Sequence, residues 1–382
     1  MNGSIYKLEE ICEIKSGKRI PKEMDYVEYE TEHPYIRARD IKEGKINTGN
    51  LIYLEENVFN KIKKYIINTG DIAITVVGAS VGDTGYAEEK VDGFNLTENA
   101  VRLTNFKHLV NSRYLHYVLS QKQYFDYMQL IAGAAAQPKL GIYKVQRMKV
   151  ELPLLDKQNR ISEILFVYDS LIENNNKRII NLEKIAKNLY KEWFVRFRFP
   201  GYKDCEFEHG IPNGWEYKKL NEIFDVCYGK DHKKLGDGEV PVYGSGGIMR
   251  YCEKSLYEGE SVLIPRKGTL NNIMYVNWPF WTVDTMFYTK LKAENMAKYM
   301  YYVMSSMNME SYNSGAALPS MTTDILSHLK VIVPNEDLLK KFDDFVEVLF
   351  KQRLLIERKN DFLIKQRDLL LPRLMSGKLE VK

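Results

Sequence analysis

Cysteines are few in this chain and none are paired by spacing. Cys12, Cys205, Cys227 and Cys252 lie far apart, no Cys-x-x-Cys occurs, and no histidine stands nearby at finger spacing. That argues against a secreted disulfide framework and a structural zinc site, and predicts a reducing, cytoplasmic setting. Long hydrophobic runs are missing too: no segment approaches the roughly 18 uncharged apolar residues of a membrane helix. The opening Met1-Asn2-Gly3-Ser4 has no basic stretch leading into an apolar one, so no secretory signal is expected. Charge of one sign is scarce, because 55 basic and 51 acidic residues leave a net charge of +4. A protein that grips nucleic acid by bulk charge shows a stronger imbalance. The near balance is compatible with a local basic face offset by acidic surface elsewhere and hints that other subunits supply part of the grip, but charge alone decides nothing.

Catalytic signatures are equally thin. There is no Gly-x-x-x-x-Gly-Lys-Ser/Thr, no His-Glu-x-x-His and no Gly-x-Ser-x-Gly. Tyr243-Gly244-Ser245-Gly246-Gly247 loosely matches a glycine turn for S-adenosylmethionine, but no acidic ribose-binding residue follows on a second strand. Asn277-Trp278-Pro279-Phe280 approximates the Asn-Pro-Pro-Phe of adenine methyltransferases and lacks its central proline. A nuclease pattern can be forced from Asp83 with Glu88-Glu89-Lys90, and reads better as a hairpin turn. No catalyst, cofactor or metal is expected.

What is present is a long repeat. Lys7-Leu8, Glu10-Ile11 and Gly17-Lys18 return with the same spacing as Lys219-Leu220, Glu222-Ile223 and Gly229-Lys230. Tyr114-Leu115-His116-Tyr117-Val118-Leu119 is echoed by Tyr299-Met300-Tyr301-Tyr302-Val303-Met304, and Gly133-Ala134-Ala135 by Gly315-Ala316-Ala317. Met148-Lys149-Val150-Glu151-Leu152-Pro153 returns as Leu329-Lys330-Val331-Ile332-Val333-Pro334. A repeat this long is a duplicated domain, not a solenoid unit of about 20–50 residues. The length of 382 residues suits two to three domains.

The first copy is β-rich. Pro34–Arg39, Asp71–Val77 and Ala100–Leu103 read as strands, with turn signals at Glu43-Gly44, Thr48-Gly49-Asn50, Gly82-Asp83 and Asp92-Gly93. A helix is predicted from about Ser112 to Leu130, capped by Asn111 or Ser112, with Leu115, Leu119 and Tyr127 on one side. After Asp156 the period changes. Leu165, Tyr168, Ile172, Asn175, Ile179, Leu182, Ala186, Leu189 and Trp193 keep three–four spacing without a Gly or Pro, a coiled-coil seam on a helix of some 40 residues, about 60 Å long, from Asp156 to about Val195. Asn175 sits mid-seam, where a buried amide fixes register. Pro200-Gly201 ends the helix, and Ile211-Pro212-Asn213-Gly214-Trp215 opens the second copy. A second long helix, about Glu336 to Leu371, carries the equivalent seam Val346, Leu349, Arg353, Ile356, Asn360, Leu363, Arg367 and Leu370. Every second layer there is polar, so Phe345, Leu355, Phe362 and Leu369 are expected to widen its apolar face. Antiparallel packing of the two helices places the duplicated heads in equivalent settings, whereas a helix that merely caps its own domain does not. The predicted fold is α+β: two homologous heads joined by two long antiparallel helices, pseudo-twofold symmetric.

The chemistry left over is a set of donors on loops. The first head offers Lys18, Arg19, Arg37 and Arg39 (alternating along one strand face), Thr75, Ser80, Asn99, Gln137 and Lys139. The second offers Lys230, Ser245, Arg266, Lys267, Thr269, Asn271 and Ser320. Arg and Lys pair with guanine, Asn and Gln with adenine, and hydroxyls and main-chain amides with phosphate. Taken singly, each reads as well as a solvated loop residue. Their occurrence at matching points in two copies favours the groups.

The ending Arg367-Asp368-Leu369-Leu370-Leu371-Pro372-Arg373-Leu374-Met375-Ser376-Gly377-Lys378-Leu379 resembles the C-terminal signature of Type I restriction–modification specificity subunits. Lys191-Glu192-Trp193-Phe194-Val195-Arg196-Phe197 and the Ile-Pro-Asn-Gly-Trp entry at Ile211 are similar to that family as well. So is the run Pro241–Ile248 with Ile264–Thr269 downstream, which resembles one common class of its target recognition domains. The resemblance covers essentially the whole chain. It implies target recognition domains at 1–153 and 199–334, a central helix at 154–198, and a C-terminal helix and tail at 335–382. It also implies a non-catalytic partner of two methyltransferase subunits and of restriction subunits, reading two half-sites across a fixed gap in double-stranded DNA. Two other readings stay open on the residues alone: an adaptor bridging two copies of a protein partner, and a self-contained methyltransferase.

Overall fold

The computed structural model describes residues 3–133, 138–312 and 320–380. The chain divides into two compact units, Met1–Asn174 with Asn360–Lys382, and Asn175–Lys359. Each contains one head, the start of one long helix and the end of the other.

The opening repeat has a structural cause in both units. In the first, Ser4–Lys7 pairs antiparallel with Lys149–Leu152, Lys7 opposite Lys149; in the second, Glu216–Lys219 pairs with Lys330–Val333, Lys219 opposite Lys330. One turn of helix follows each. The Glu10 carboxylate accepts the Lys7 N–H at 2.6 Å and Glu222 accepts that of Lys219 at 2.7 Å, satisfying a first-turn donor. Leu8 and Leu220 are fully buried beneath, and their N–H groups donate to the Met148 and Leu329 carbonyls at 3.0 and 2.9 Å. The motif thus staples the start of each head to its last strand.

A six-stranded sheet organises the first head, in the order Glu13–Ser16, Ala100–Thr104, Ile72–Thr75, Thr84–Tyr86, Gly44–Ile46 and Ile41–Lys42. Beside it lies a small sheet of Ile52–Tyr53, Pro34–Ile36 and Asn95–Leu96. The second head repeats the scheme in shorter form: Phe224–Tyr228, Met286–Leu291, Ser261–Pro265 and Met274–Val276, beside Gly247–Cys252, Val240–Gly244 and Trp281–Thr282. In both small sheets a parallel pair joins the same two points of the repeat, Ile36 to Leu96 and Tyr243 to Thr282.

The expected helix from Ser112 to Leu130 is two helices, Ser112–Leu119 and Lys122–Ala132. Asn111 caps the first, its Oδ1 accepting the Tyr114 N–H at 2.9 Å. The Ser120 and Gln121 N–H groups turn back to the His116 and Val118 carbonyls and close that helix, so Leu115 and Leu119 are buried while Tyr127 is not. Likewise the strand drawn through Arg39 stops at Ile36, and Ala38–Asp40 is a tight 3-10 turn.

The first long helix runs Leu155–Tyr190 and widens into a π turn at Lys191–Val195; the second runs Glu336–Met375, carrying Pro372 inside it. They pack antiparallel within each unit. In the first unit Ile161 and Leu165 at one helix start share a core with Leu374 at the other's end, and Arg367 Nη1 donates to Asp169 at 2.7 Å. In the second, Ala186, Tyr190 and Phe194 share a core with Leu338, Leu339, Phe342 and Val346, and Arg353 Nη1 meets Glu183 at 3.1 Å. The interval between the ion pairs is 14 residues on both helices (169 to 183, 353 to 367), about four turns. Every seam position predicted on either helix is buried or half-buried. Phe345, Leu355, Phe362 and Leu369 do not widen that face; they stand 50–68% exposed on the outside.

Lys-Glu-Trp-Phe-Val-Arg-Phe is an aromatic plug. Phe194 lies 4.7 Å from the Tyr299 ring and 4.9 Å from Phe342, both edge-on, with Trp215 of the Ile-Pro-Asn-Gly-Trp entry at 5.9 Å. Such contacts add about 0.5–1.5 kcal/mol each beyond area burial.

Candidate nucleic-acid interface

At one end of the first head's large sheet, strand Glu13–Ser16 leaves through Gly17. The Gly17 N–H donates to the Ala100 carbonyl at 3.0 Å and the Lys18 N–H to that of Leu96 at 2.8 Å. A Cβ on Gly17 would fall closer than 3.0 Å to the Thr97 and Leu96 carbonyl oxygens, so only glycine lets the chain cross there. Lys18 and Arg19 emerge directly and are exposed, with the Lys18 carbonyl taking the Tyr35 hydroxyl at 2.9 Å. Burial pushes the Tyr35 phenol up to about 12, which keeps it a donor. From the neighbouring strand end, Val76 N–H donates to the Asn99 carbonyl and Leu140 N–H to that of Val76, both at 2.8 Å. Val77 bridges to Lys139. Lys18, Arg19, Ser80, Asn99 and Lys139 therefore belong to adjoining loops.

The second head reproduces this wiring. Gly229 N–H donates to the Met286 carbonyl at 3.0 Å and Lys230 N–H to that of Thr282 at 2.8 Å, and a Cβ on Gly229 would collide with the Val283 and Thr282 carbonyls. Trp281 Nε1 holds the Lys230 carbonyl at 2.9 Å, as Tyr35 holds that of Lys18. Arg266 N–H donates to the Thr285 carbonyl at 2.8 Å, Met321 N–H to that of Arg266 at 2.9 Å, and Lys267 bridges to Ser320. Asn272 Nδ2 ties in the Ser245 carbonyl at 2.8 Å, while Asn271 Oδ1 accepts the Met309 N–H at 2.8 Å. The main chain thus equates Lys18 with Lys230, Asn99 with Thr285, Leu140 with Met321, and Val76 and Val77 with Arg266 and Lys267.

By that equivalence the first-head counterparts of Arg266 and Lys267 are Val76 and Val77, not Arg37 and Arg39. Arg37 is committed to the protein: Nε and Nη2 fork the Asp40 carboxylate at 2.8 and 3.0 Å, and Nη2 also donates to the Asn50 carbonyl. Arg39, on the turn, is exposed. Thr75 is fully buried, its hydroxyl without a hydrogen-bond partner among the described residues. Arg19 lies 3.8 Å from Glu98 and is largely exposed. Lys230, Lys267, Thr269 and Asn271 are exposed; Ser80, Asn99, Ser245, Arg266 and Ser320 are half-buried. Gln137 lies outside the described residues, as do the Gly133 and Gly315 repeats beyond Gly133 itself.

The rejected enzymatic motifs have structural occupations. Val240–Gly244 turns through Ser245-Gly246 into Gly247–Cys252, so the glycine run is a hairpin. Phe280 is fully buried and Trp278 Nε1 donates to the Tyr243 hydroxyl at 3.2 Å. Glu88 forks Arg113 at 2.7 and 3.0 Å, which removes it from any partnership with Asp83. Among the described residues no cluster of His, Cys, Asp or Glu could hold a metal, and no helix is long and apolar enough to cross a membrane.

Sequence reasoning missed the residues that hold these loops in place. Tyr35 and Trp281 occupy equivalent roles with unlike side chains, so no repeat in the letters marks them. Tyr228, whose ring faces Arg266, is a strand-end tyrosine among 26 in the chain.

Duplicated strand ends that present main-chain-anchored cations, each on a head seated against paired long helices, define a tandem DNA-reading module. The family model described as the Type I restriction modification DNA specificity domain matches twice, over residues 4–184 and 212–363. The chain belongs to that family, and its function is DNA specificity in a Type I restriction–modification system. It is 27% identical over 305 residues to the specificity subunit of the type I restriction enzyme MjaIX of Methanocaldococcus jannaschii, covering 72% of this chain and 70% of that one. A putative MjaX specificity subunit of the same organism is 25% identical, covering 99% and 94%. The crystal structure of a Type I restriction–modification S subunit from M. genitalium shares the fold with a TM-score of 0.62 at 18% identity, covering 98% of this chain and 96% of that one.

Proposed function

We propose that this chain reads a split site in double-stranded DNA, one half-site per head, and directs adenine methylation and restriction carried out by partner subunits. Residues 1–153 and 199–334 act as the two recognition domains, and the helices at 154–198 and 335–382 set the gap. The chain itself supplies no catalysis and takes no cofactor, and it works in the cytoplasm. The observation that carries this reading is the repeated wiring of Gly17-Lys18 and Gly229-Lys230, which holds a cation at the same strand end in both heads. Helix contacts supply the partner side. Phe345, Val348, Leu355, Phe362 and Leu369 stand exposed on the second helix, and Val167, Leu171 and Ile185 on the first. Apolar stripes of this kind fit the two methyltransferase subunits, with restriction subunits joining the full complex.

The test is single-molecule sequencing of methylated bases in cells expressing this chain with its methyltransferase subunits. A two-part motif that depends on the chain is expected. Exchange of residues 4–153 for another family member's head should change one half-site and leave the other. Simultaneous change of both half-sites, or methylation indifferent to the chain, refutes the reading.

A further inference from the structure

The two strand ends share their main-chain wiring and differ in one side-chain device. Arg266 in the second head has its guanidinium over the Tyr228 ring, 5.4 Å from the centroid, and donates from Nη1 to the Asp284 carbonyl at 3.3 Å. The Tyr228 hydroxyl is in turn 3.4 Å from Thr323 Oγ1. Among the described residues Arg266 makes no ion pair, whereas Arg37, Arg102, Arg113, Arg250, Arg353 and Arg367 each have a carboxylate within 3.5 Å. The first head has Val76 in place of Arg266 and, by the opening repeat, Ser16 in place of Tyr228.

We propose that Arg266, held on Tyr228, reads a guanine in the half-site of the second head; this rests on the function proposed above. A guanidinium has five N–H donors in a planar fork. Here one donor is spent on a neutral carbonyl and one face on a neutral ring, so orientation is fixed without neutralising the charge. A fixed, still-charged fork of this kind suits a bidentate contact to O6 and N7 of guanine, the commonest specific contact to a base. Exposed Lys230 and Lys267 alongside are the better phosphate ligands, long and free to follow the backbone.

The experiment uses the complex with methyltransferase subunits. The motif of the wild type is determined first, and the half-site that changes on exchange of the second head must contain a guanine. Duplexes carrying 7-deazaguanine at that base, which lacks the N7 acceptor, should bind the wild type about tenfold or more weakly. Arg266→Ala should relax that position alone by about ten- to hundredfold and should bind 7-deazaguanine and guanine duplexes equally, while Arg266→Lys, a donor without the planar fork, should relax it less. Tyr228→Leu should relax the same position less. The alanine variant has no donor left for the base, so retained discrimination at that position in Arg266→Ala, with binding weakened equally for all sequences, would make Arg266 a phosphate contact and overturn the proposal. A second half-site without guanine, or wild-type indifference to 7-deazaguanine at every guanine, overturns it too, even if the variants fail to fold. Failure of the underlying reading looks different: the wild type would then give no chain-dependent motif at all.

Discussion

Replacement of Lys298 by methionine should destabilise the second unit by about 3–5 kcal/mol at neutral pH. Lys298 is 2% exposed, and its Nζ lies 3.0 Å from Glu260, 3.0 Å from Asp343 and 3.1 Å from Glu347, with the Tyr275 ring at 5.6 Å. Burial alone would lower the Lys298 pKa, but the bonds and charges of Asp343 and Glu260 outweigh it and hold the ammonium above its ordinary value. Burial raises the Asp343 carboxyl, only partly offset by Lys298; burial also acts on Glu347, but Lys298 and Lys351 hold it below the ordinary range. Methionine fills most of the lysine stem and removes the counter-charge, stranding carboxylates whose desolvation is no longer compensated.

The pH dependence gives the sign. The raised Lys298 value contributes stability below its unfolded pKa, lost only at strongly alkaline pH as the folded value is passed. The depressed Glu347 contributes stability above its ordinary value, lost as pH falls through the folded one; the raised Asp343 works the other way. In Lys298→Met the carboxyls are all pushed up, so the deficit relative to wild type should be largest near neutrality and shrink toward about pH 5. Urea unfolding followed by tryptophan emission reads this unit alone, because Trp193, Trp215, Trp278 and Trp281 all lie within residues 175–359. Lys298→Met with Asp343→Leu removes both of the best-buried charges and should recover much of the loss. A single-variant deficit below about 1 kcal/mol, or one that grows on acidification, refutes the reasoning.

Three further outcomes follow from the same geometry. Matched heptads inserted near Asn181 and near Ile356 keep the helix pair in register and add about 10 Å, so the methylated motif should lengthen its gap by about three base pairs with both half-sites intact; an unchanged gap in an assembled complex would remove the helices as the ruler. Gly17→Ala and Gly229→Ala should each cost about 1–3 kcal/mol by overpacking and weaken methylation through one half-site only, measured on duplexes mutated in either half. Arg37→Ala should lower the melting temperature of the first unit without altering the motif, since its guanidinium is spent on Asp40 and the Asn50 carbonyl.

Much of the fold was legible because periodicity and repetition report packing directly. The seam on both helices, including the awkward polar layers, could be read position by position: Arg353 and Arg367 interrupt the apolar stripe and are the two residues that pair with Glu183 and Asp169. What failed failed for local reasons. A helix through Ser120 satisfied the apolar spacing, but the Ser120 and Gln121 N–H groups turn back to close the first helix, a choice the side-chain pattern does not encode. Phe345, Leu355, Phe362 and Leu369 had the right spacing for a face and the wrong face, because a single sequence does not say which apolar stripe meets its own chain.

The candidate strand ends were legible as a region and not as a list of exposed donors, and the duplication explains why. Residues that the repeat preserves, Gly17 and Gly229 above all, are those whose backbone path admits no alternative; they are scaffold, and their conservation between the halves identifies the strand end. The residues free to differ on that scaffold are Val76 against Arg266 and Val77 against Lys267, presented by identical main-chain bonds. On the proposed reading, two heads with different half-sites need a common frame and unlike side chains. Agreement between the copies therefore marks support, and disagreement at an equivalent position, buried Val76 against half-exposed Arg266, is where the proposed specificity resides. Arg37 illustrates the converse. It fitted the chemistry of base reading, yet its charge is consumed within its own turn, and a cation already neutralised by a carboxylate has little left to give a base.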